Sequence, residues 1–335
     1  MTEALNVIIA GFGWWGQTML RKATHSRETS VLGIMDPATA ARERIAATGL
    51  KAYADLDEAL SEPELEAVIL TTPNAFHEEQ VRQVAAAGKH VFCEKPVGLS
   101  GASAQRSVDA CRKAGVVLGV GHERRFEPAM LDLKEQIGAG EFGTIMHAEA
   151  AFSHDKLVHV PAADWRTAKA TAPAAGMTGM GIHLTDLFIS FFGKVETVQA
   201  MTASRSLNWE TGDVVTAQLG FAEGMTATLS SILHTPQFIR MHVFGTKKWI
   251  QIINESHPDA SDGVVRVVTS AAGSDPVEST VAWADSVLAN LEAFARACRK
   301  DALYPFTDEE IVHNVEVLEA IAASSEGRAT VTIGH

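Results

Sequence analysis

The first 122 residues alternate with a regularity that few folds can satisfy. Short β-prone apolar runs occur at residues 6–10, 31–35, 67–71, 90–93 and 116–120. Longer stretches with helical periodicity lie between them, at 15–25, 37–47, 76–87 and 100–114. Short strands separated by helices are the pattern of βαβ units, whose crossovers build a parallel sheet. The punctuation agrees. Pro37 suits a first helical position, Gly88 and Gly115 the ends of helices, and Ser100 a cap. A short element near 51–53 completes the sheet.

Beyond Gly121 the rhythm changes. A helix over 127–137 leads into strand-like stretches at 144–153, 195–203, 214–221, 226–234, 240–245, 248–253 and 264–270. A helical segment at 176–192 interrupts them. Strands in succession, with few helices between, predict a mostly antiparallel sheet. Two helices, 286–299 and 308–324, precede a last strand at 330–333, while 254–263 and 271–278 read as exposed loops rich in turn formers. A chain of 335 residues usually splits rather than growing one core. The expected fold class is therefore α/β: a doubly wound parallel sheet over 1–122, then an α/β domain with a mainly antiparallel sheet over 123–335.

Charge excludes one class of partner. The chain carries 41 Asp plus Glu against 28 Lys plus Arg, net −13, which argues against a duplex-binding surface built on clustered cations. A small anionic ligand stays open, because a few backbone amides can hold one. Cys93, Cys111 and Cys298 are odd in number and widely spaced, matching neither a disulfide framework nor a zinc pattern. The apolar run at 5–10 follows Glu3 rather than a basic segment, and no run approaches membrane-spanning length. A cytoplasmic protein, with no membrane partner, is expected.

Gly11-Phe12-Gly13-Trp14-Trp15-Gly16 follows the first strand and opens the first helix. In that context G-x-G-x-x-G is a dinucleotide-binding turn. The first glycine permits the turn and the second lets backbone approach a pyrophosphate. The third lets the helix pack against the sheet, and the helix N-terminus supplies amide donors. Asp36, 20 residues after Gly16, ends the second strand. A carboxylate there accepts from both hydroxyls of an adenosine ribose and repels a 2′-phosphate, favouring NAD; Arg42 nearby leaves NADP open. Trp14 and Trp15 are expected to pack against cofactor or substrate.

Glu94-Lys95-Pro96 ends the fifth strand, and Thr72-Pro73-Asn74 the fourth. Ligands bind beyond the carboxyl ends of strands in an open parallel sheet, so Lys95 is placed for chemistry. Thr72, Pro73, Asn74 and His77 either line the cofactor groove or serve as turn and helix cap.

Together with the segments TTPNAFH (71–77) and GMGIHLTDL (179–187), these motifs resemble the Gfo/Idh/MocA oxidoreductase family, in order through the whole chain. The resemblance implies a Rossmann domain and an α/β domain with an open, mainly antiparallel sheet through which members form dimers or tetramers. It implies hydride transfer between NAD(P) and a hydroxyl or carbonyl of a sugar, polyol or related compound. It also implies that Lys95 meets the reacting oxygen or the nicotinamide ribose, that Glu94 lies with it by the cofactor, and that the Lys95–Pro96 bond is often cis. In such proteins His183 is the acid/base, frequently joined by an aspartate four residues earlier. That position here is Gly179.

His183 is expected to work with Lys95, imidazole being suited to proton transfer near neutrality. Asp186, one turn later, is a candidate to orient it; the third alternative is that Gly179 makes room for a larger substrate and the usual alcohol chemistry is lost. Arg124 in the segment ERRF, the pair Trp165-Arg166 and Met180 complete the substrate-side candidates. No metal site is read, because the 13 histidines are scattered without ligand spacing. Two rival functions remain at this point: a lyase or glycoside hydrolase working through transient oxidation, and a dinucleotide-binding sensor without turnover.

Overall fold

The computed structural model describes residues 4–256 and 263–334. Along the chain these form β1 (Leu5–Ala10), α1 (Trp14–His25), β2 (Thr29–Met35), α2 (Thr39–Ala46), β3 (Lys51–Tyr53), α3 (Leu56–Leu60), β4 (Ala67–Leu70), α4 (His77–Ala86), β5 (His90–Cys93), α5 (Gly101–Ala114) and β6 (Leu118–Val120). There follow α6 (Pro128–Gly138), β7 (Ile145–Ser153), α7 (Gly181–Phe192), β8 (Val195–Ala203), β9 (Val214–Phe221), β10 (Thr226–Ile232), β11 (Phe238–Gly245) and β12 (Lys248–Asn254). The last elements are β13 (Val264–Ala271), β14 (Val277–Ala282), α8 (Ser286–Cys298), α9 (Asp308–Gly327) and β15 (Val331–Thr332).

The first compact unit comprises residues up to Glu123 together with Val287–Val315. Its six strands are all parallel and run in the order β3-β2-β1-β4-β5-β6. Strand order reverses between β1 and β4, and in such sheets the crevice at that switch point, outside the carboxyl ends, takes the ligand. Val7, Ile8, Ile9 and all of β4 are fully buried, as strands covered on both faces must be. Ser100 caps α5 through a reciprocal box with Ser103, and Gly115 ends it in the left-handed conformation.

The sequence division places everything after 122 in the second domain, but 287–315 belongs with the first unit. Leu291, Phe294, Ala295 and Cys298 on α8 sit in its core, Phe294 meeting Phe92 edge-on at 5.5 Å. Asn290 donates to the Val120 carbonyl at 2.9 Å, so the apolar face of α8 is aimed by a hydrogen bond as well. Two local differences have local causes. Helix α2 starts at Thr39 rather than Pro37, because the Asp36 carboxylate accepts from the Ala38 N–H and holds the turn open. The short α3 has its own cap, Asp55 accepting from the Glu58 N–H.

The second unit comprises Arg124–Ser286 and the chain from Glu316 on. Its nine strands run β14-β13-β12-β11-β7-β10-β9-β8-β15, antiparallel except for the β7–β10 pair. Alternate residues such as Ala148, Ala150, Met241, Val243, Ile250 and Ile252 point into a core shared with Leu184, Leu187 and Phe188 of α7. Helix α7 begins at Gly181, later than the periodicity suggests, because Ala174 and Ala175 take positive φ and set a short tight turn before it. Edge strand β14 starts inside the segment read as a loop. Nearly all its residues are exposed, so no hydrophobic alternation marks it. Of the expected loop at 254–263, residues 257–262 lie outside the described residues.

Candidate active site

The three glycines of the turn meet three different surroundings. Gly11 takes φ +96° and a Cβ there would lie 3.0 Å from the Thr71 backbone, so the turn closes onto β4. A Cβ on Gly16 would fall 1.9 Å from the Gly11 carbonyl oxygen, which only glycine can avoid. A Cβ on Gly13 would meet nothing within 4 Å. Two glycines therefore serve packing, while the third leaves open space at the N-terminus of α1, where amide donors and positive potential attract a phosphate.

Asp36 lies beside this turn. Its Oδ2 accepts from the Phe12 N–H at 2.8 Å and its Oδ1 from the Ala38 N–H at 2.9 Å. Each oxygen keeps a second acceptor position, enough for two ribose hydroxyls. Arg42 turns to the carbonyls of Asp36 and Pro37, and Arg44 approaches the Phe12 carbonyl at 3.4 Å. The Phe12 side chain is buried in the core, so only its backbone faces the turn. Trp14 stands exposed beside the half-buried Trp15, their rings 5.3 Å apart.

Lys95 leaves the carboxyl end of β5, two strands from β1 and on the same sheet edge, and the Lys95–Pro96 bond is cis. Its neighbour Glu94 is buried, accepting at 3.3 Å from the Lys95 N–H, with the Trp15 indole beside it. Burial pushes the Glu94 carboxyl up to about 7, against the nearby Lys95 charge, which pulls it down. Both carboxylate oxygens rest where a Cβ on Gly121 would be, 2.5 Å away. Sequence reasoning missed Gly121; a glycine after a strand has no signal of its own unless the buried acid over it is known.

His77 does not line any groove. It is fully buried at the start of α4, with Nδ1 2.7 Å from the Pro96 carbonyl oxygen and Nε2 2.8 Å from that of Thr72. Thr72 donates its hydroxyl to Gln80, Pro73 is extended and Asn74 is buried.

On the second unit, His183 is buried in the first turn of α7, its ring 6.0 Å from Phe152. Phe152 also carries the Arg124 guanidinium over its face at 5.0 Å and meets His154 edge-on. An aromatic in a strand is unremarkable in sequence, so this shared ring was not foreseen. Gly179 lies outside the helix, and a Cβ there would touch only Leu157, at 3.9 Å. Asp186 gives both carboxylate oxygens to Arg125 at 2.7 Å, so it anchors the start of the second unit rather than orienting His183. Arg124 is paired with Glu127 and Asn254, Arg166 with Asp164 and the Trp165 ring, and Met180 lies in the core. Arg124 and Met180 are thus buried in intramolecular contacts, while Trp165 and Arg166 remain partly exposed.

Comparison with known proteins turns this geometry into an assignment. Residues 5–122 match the family model described as an oxidoreductase family with an NAD-binding Rossmann fold, and 130–251 match the Gfo/Idh/MocA C-terminal domain. The chain belongs to the Gfo/Idh/MocA oxidoreductase family. Among curated Gfo/Idh/MocA relatives, scyllo-inositol 2-dehydrogenase (NADP(+)) IolW of Bacillus subtilis is 26% identical over 303 residues, covering 84% of this chain and 82% of its own. The rhizopine catabolism protein MocA of Rhizobium meliloti is 26% identical over 316 residues, covering 93% and 92%. Aldose-aldose oxidoreductase from Caulobacter crescentus, solved with glycerol, shares the fold with a TM-score of 0.87 at 20% identity, over 98% of this chain and 99% of its own. As a Gfo/Idh/MocA member the chain is an NAD(P)-dependent oxidoreductase, and the glycine turn, the open space at Gly13 and the Asp36 carboxylate fit that cofactor. Among the described residues no helix is long and apolar enough to cross a membrane.

Proposed function

We propose that this oxidoreductase acts on a hydroxyl or carbonyl of a polyhydroxylated small molecule, with NAD preferred to NADP. The observation that carries the reading is the placement of Lys95 on the same carboxyl edge as the glycine turn. Backbone amides at Gly11–Gly16 would hold the pyrophosphate of the cofactor, and the Asp36 carboxylate its ribose. When bound, the nicotinamide supplies or accepts the hydride. Lys95, cationic, holds and polarises the substrate oxygen. His183 takes the proton from the substrate hydroxyl in oxidation and returns it in reduction. Inositol and aldose in the names of the relatives point to polyols and sugars as the substrate class.

The test is a cofactor-reduction screen over polyols, sugars and hydroxy acids, run with NAD and with NADP. Turnover of a polyol or sugar, faster with NAD, is expected; silence across the panel with both cofactors would sink the reading. The reaction is assigned to a reducing, cytoplasmic setting, in keeping with the buried free thiols of Cys93, Cys111 and Cys298. A second copy of the chain is the proposed occupant of the outer face of the nine-stranded sheet. That face presents Phe238, Phe244, Trp249 and Met201, apolar groups that one copy leaves exposed or half-buried. Light scattering of the wild type and of Phe238→Glu reads the oligomeric state directly.

A further inference from the structure

Lys95 is useful only if its strand end is held still, and the residue that holds it is in a different segment of the chain. Backbone pairing of β5 ends with the Glu94 N–H, which donates to the Leu70 carbonyl at 2.9 Å, one residue before Lys95. The Pro96 carbonyl oxygen instead meets Nδ1 of His77 at 2.7 Å, while the opposite ring nitrogen, Nε2, meets the Thr72 carbonyl oxygen at 2.8 Å. The imidazole thus spans the backbones of the two loops that leave β4 and β5. Its exposure is 0%, so it touches neither solvent nor any ligand of the sheet edge. Burial favours the neutral ring, the two carbonyls favour the charged one, and the Lys95 charge again opposes it.

We propose that His77 is a positioning residue for the reaction: its Nδ1–H, donated to the Pro96 carbonyl, fixes the backbone from which Lys95 reaches the substrate oxygen. The inference rests on the role of Lys95 proposed above. It goes beyond that role in assigning catalytic consequence to a side chain that contacts neither substrate nor cofactor. A buried acceptor left without its donor relaxes toward water or another partner, and small displacements of a catalytic group are costly to rate.

The two ends of the ring allow the function to be separated from mere stability. An asparagine at 77 can place its amide N–H near the position of Nδ1, keeping the donation to Pro96; a glutamine places its amide N–H near the position of Nε2, where it meets only the Thr72 carbonyl. A structural role would make the two variants equivalent. The positioning role predicts that His77→Asn holds kcat within about threefold of wild type, whereas His77→Gln loses about 10- to 100-fold in kcat, the rate equivalent of one unsatisfied buried group. NADH affinity, read by fluorescence titration, should change little in either. Hydrogen exchange at residues 94–98 should accelerate in His77→Gln and not in His77→Asn.

His90→Ala supplies the control for simple destabilisation. The His90 ring accepts from the Val117 N–H at the opposite end of β5, at 2.9 Å, and its loss should lower melting temperature without lowering kcat. Lys95→Ala, assayed alongside with the substrate found in the screen, separates the two claims. If Lys95→Ala keeps its turnover, the reading of Lys95 is wrong and this inference goes with it. If Lys95→Ala collapses while the Asn and Gln variants lose turnover equally, or not at all, the inference alone is overturned. Unchanged exchange at 94–98 in His77→Gln overturns it without any substrate.

Discussion

Arg125 and Asp186 form a buried, doubly hydrogen-bonded ion pair, Nε to Oδ2 and Nη2 to Oδ1, each at 2.7 Å. The aspartate of the GIHLTD segment is thereby tied to the entry of the second unit, and its charge is spent on architecture. Removing one partner leaves the other charge buried and uncompensated, which typically costs about 3–5 kcal/mol. Asp186→Asn should therefore lower the urea midpoint sharply. A double change to apolar residues, Arg125→Met with Asp186→Leu, should recover much of the loss. If Asp186→Asn leaves the midpoint in place, the pair does not hold the unit together.

A second prediction separates the packing glycines from the one that faces open space. Gly13→Ala adds a methyl group where nothing stands within 4 Å, so the apo protein should melt at the wild-type temperature. The same methyl occupies the approach of the pyrophosphate and should weaken NADH binding by tenfold or more, about 1.4 kcal/mol. Gly16→Ala, driven into the Gly11 carbonyl, should instead lower stability whether or not cofactor is added. Fluorescence titration and melting curves of both variants settle the matter. Equal loss of NADH affinity and no loss of stability in the two would contradict this division.

How far the sequence carries these readings depends on whether a residue's partner lies nearby in the chain. The glycine turn, Asp36 and the strand-end lysine are legible because each derives its meaning from an adjacent strand and helix. The return of 287–315 to the first unit is not legible. Its signal is an apolar face on α8, and such a face does not say which core it joins. Edge strand β14 escapes for the opposite reason, having no buried face at all. Asp186 was a reasonable partner for His183 by helical spacing. What decided otherwise was Arg125, 61 residues away in sequence, which no local pattern announces.

Glu94 gives the molecule a pH dependence whose sign can be worked out. Burial raises its carboxyl from 4.5 to about 7, so the folded chain binds a proton more tightly than the unfolded one. The corresponding stability is fully present below pH 4.5 and is lost as pH rises through about 7, on the order of 3 kcal/mol in all. Glu94→Gln keeps the shape and removes the titration. Its urea stability relative to wild type should increase steadily between pH 5 and about 7, then level off. Parallel pH profiles for the two apo proteins would show that Glu94 stays ionised throughout.

The last prediction concerns the carboxylate that Gly179 does not supply. A Cβ at 179 would find only Leu157, at 3.9 Å, and the residue does not take a positive φ, so an aspartate can be accommodated without backbone strain. Gly179 precedes α7 rather than lying within it, so the new side chain would approach His183 from the turn and not from one helix face. An anion within a few ångströms favours the charged imidazole and raises its pKa. If His183 is the base in oxidation, the acidic limb of the rate profile should move to higher pH in Gly179→Asp, by about one unit for a neighbour at an exposed position. Folding, read by melting temperature, should be nearly unchanged. A profile that stays in place, from a variant that folds and binds NADH normally, would mean that position 179 does not reach His183, or that another group carries the proton. Repeating the measurement in His183→Asn distinguishes these. Residual turnover with the same acidic limb assigns the proton elsewhere, whereas loss of the limb leaves His183 as the base and removes only the reach of position 179.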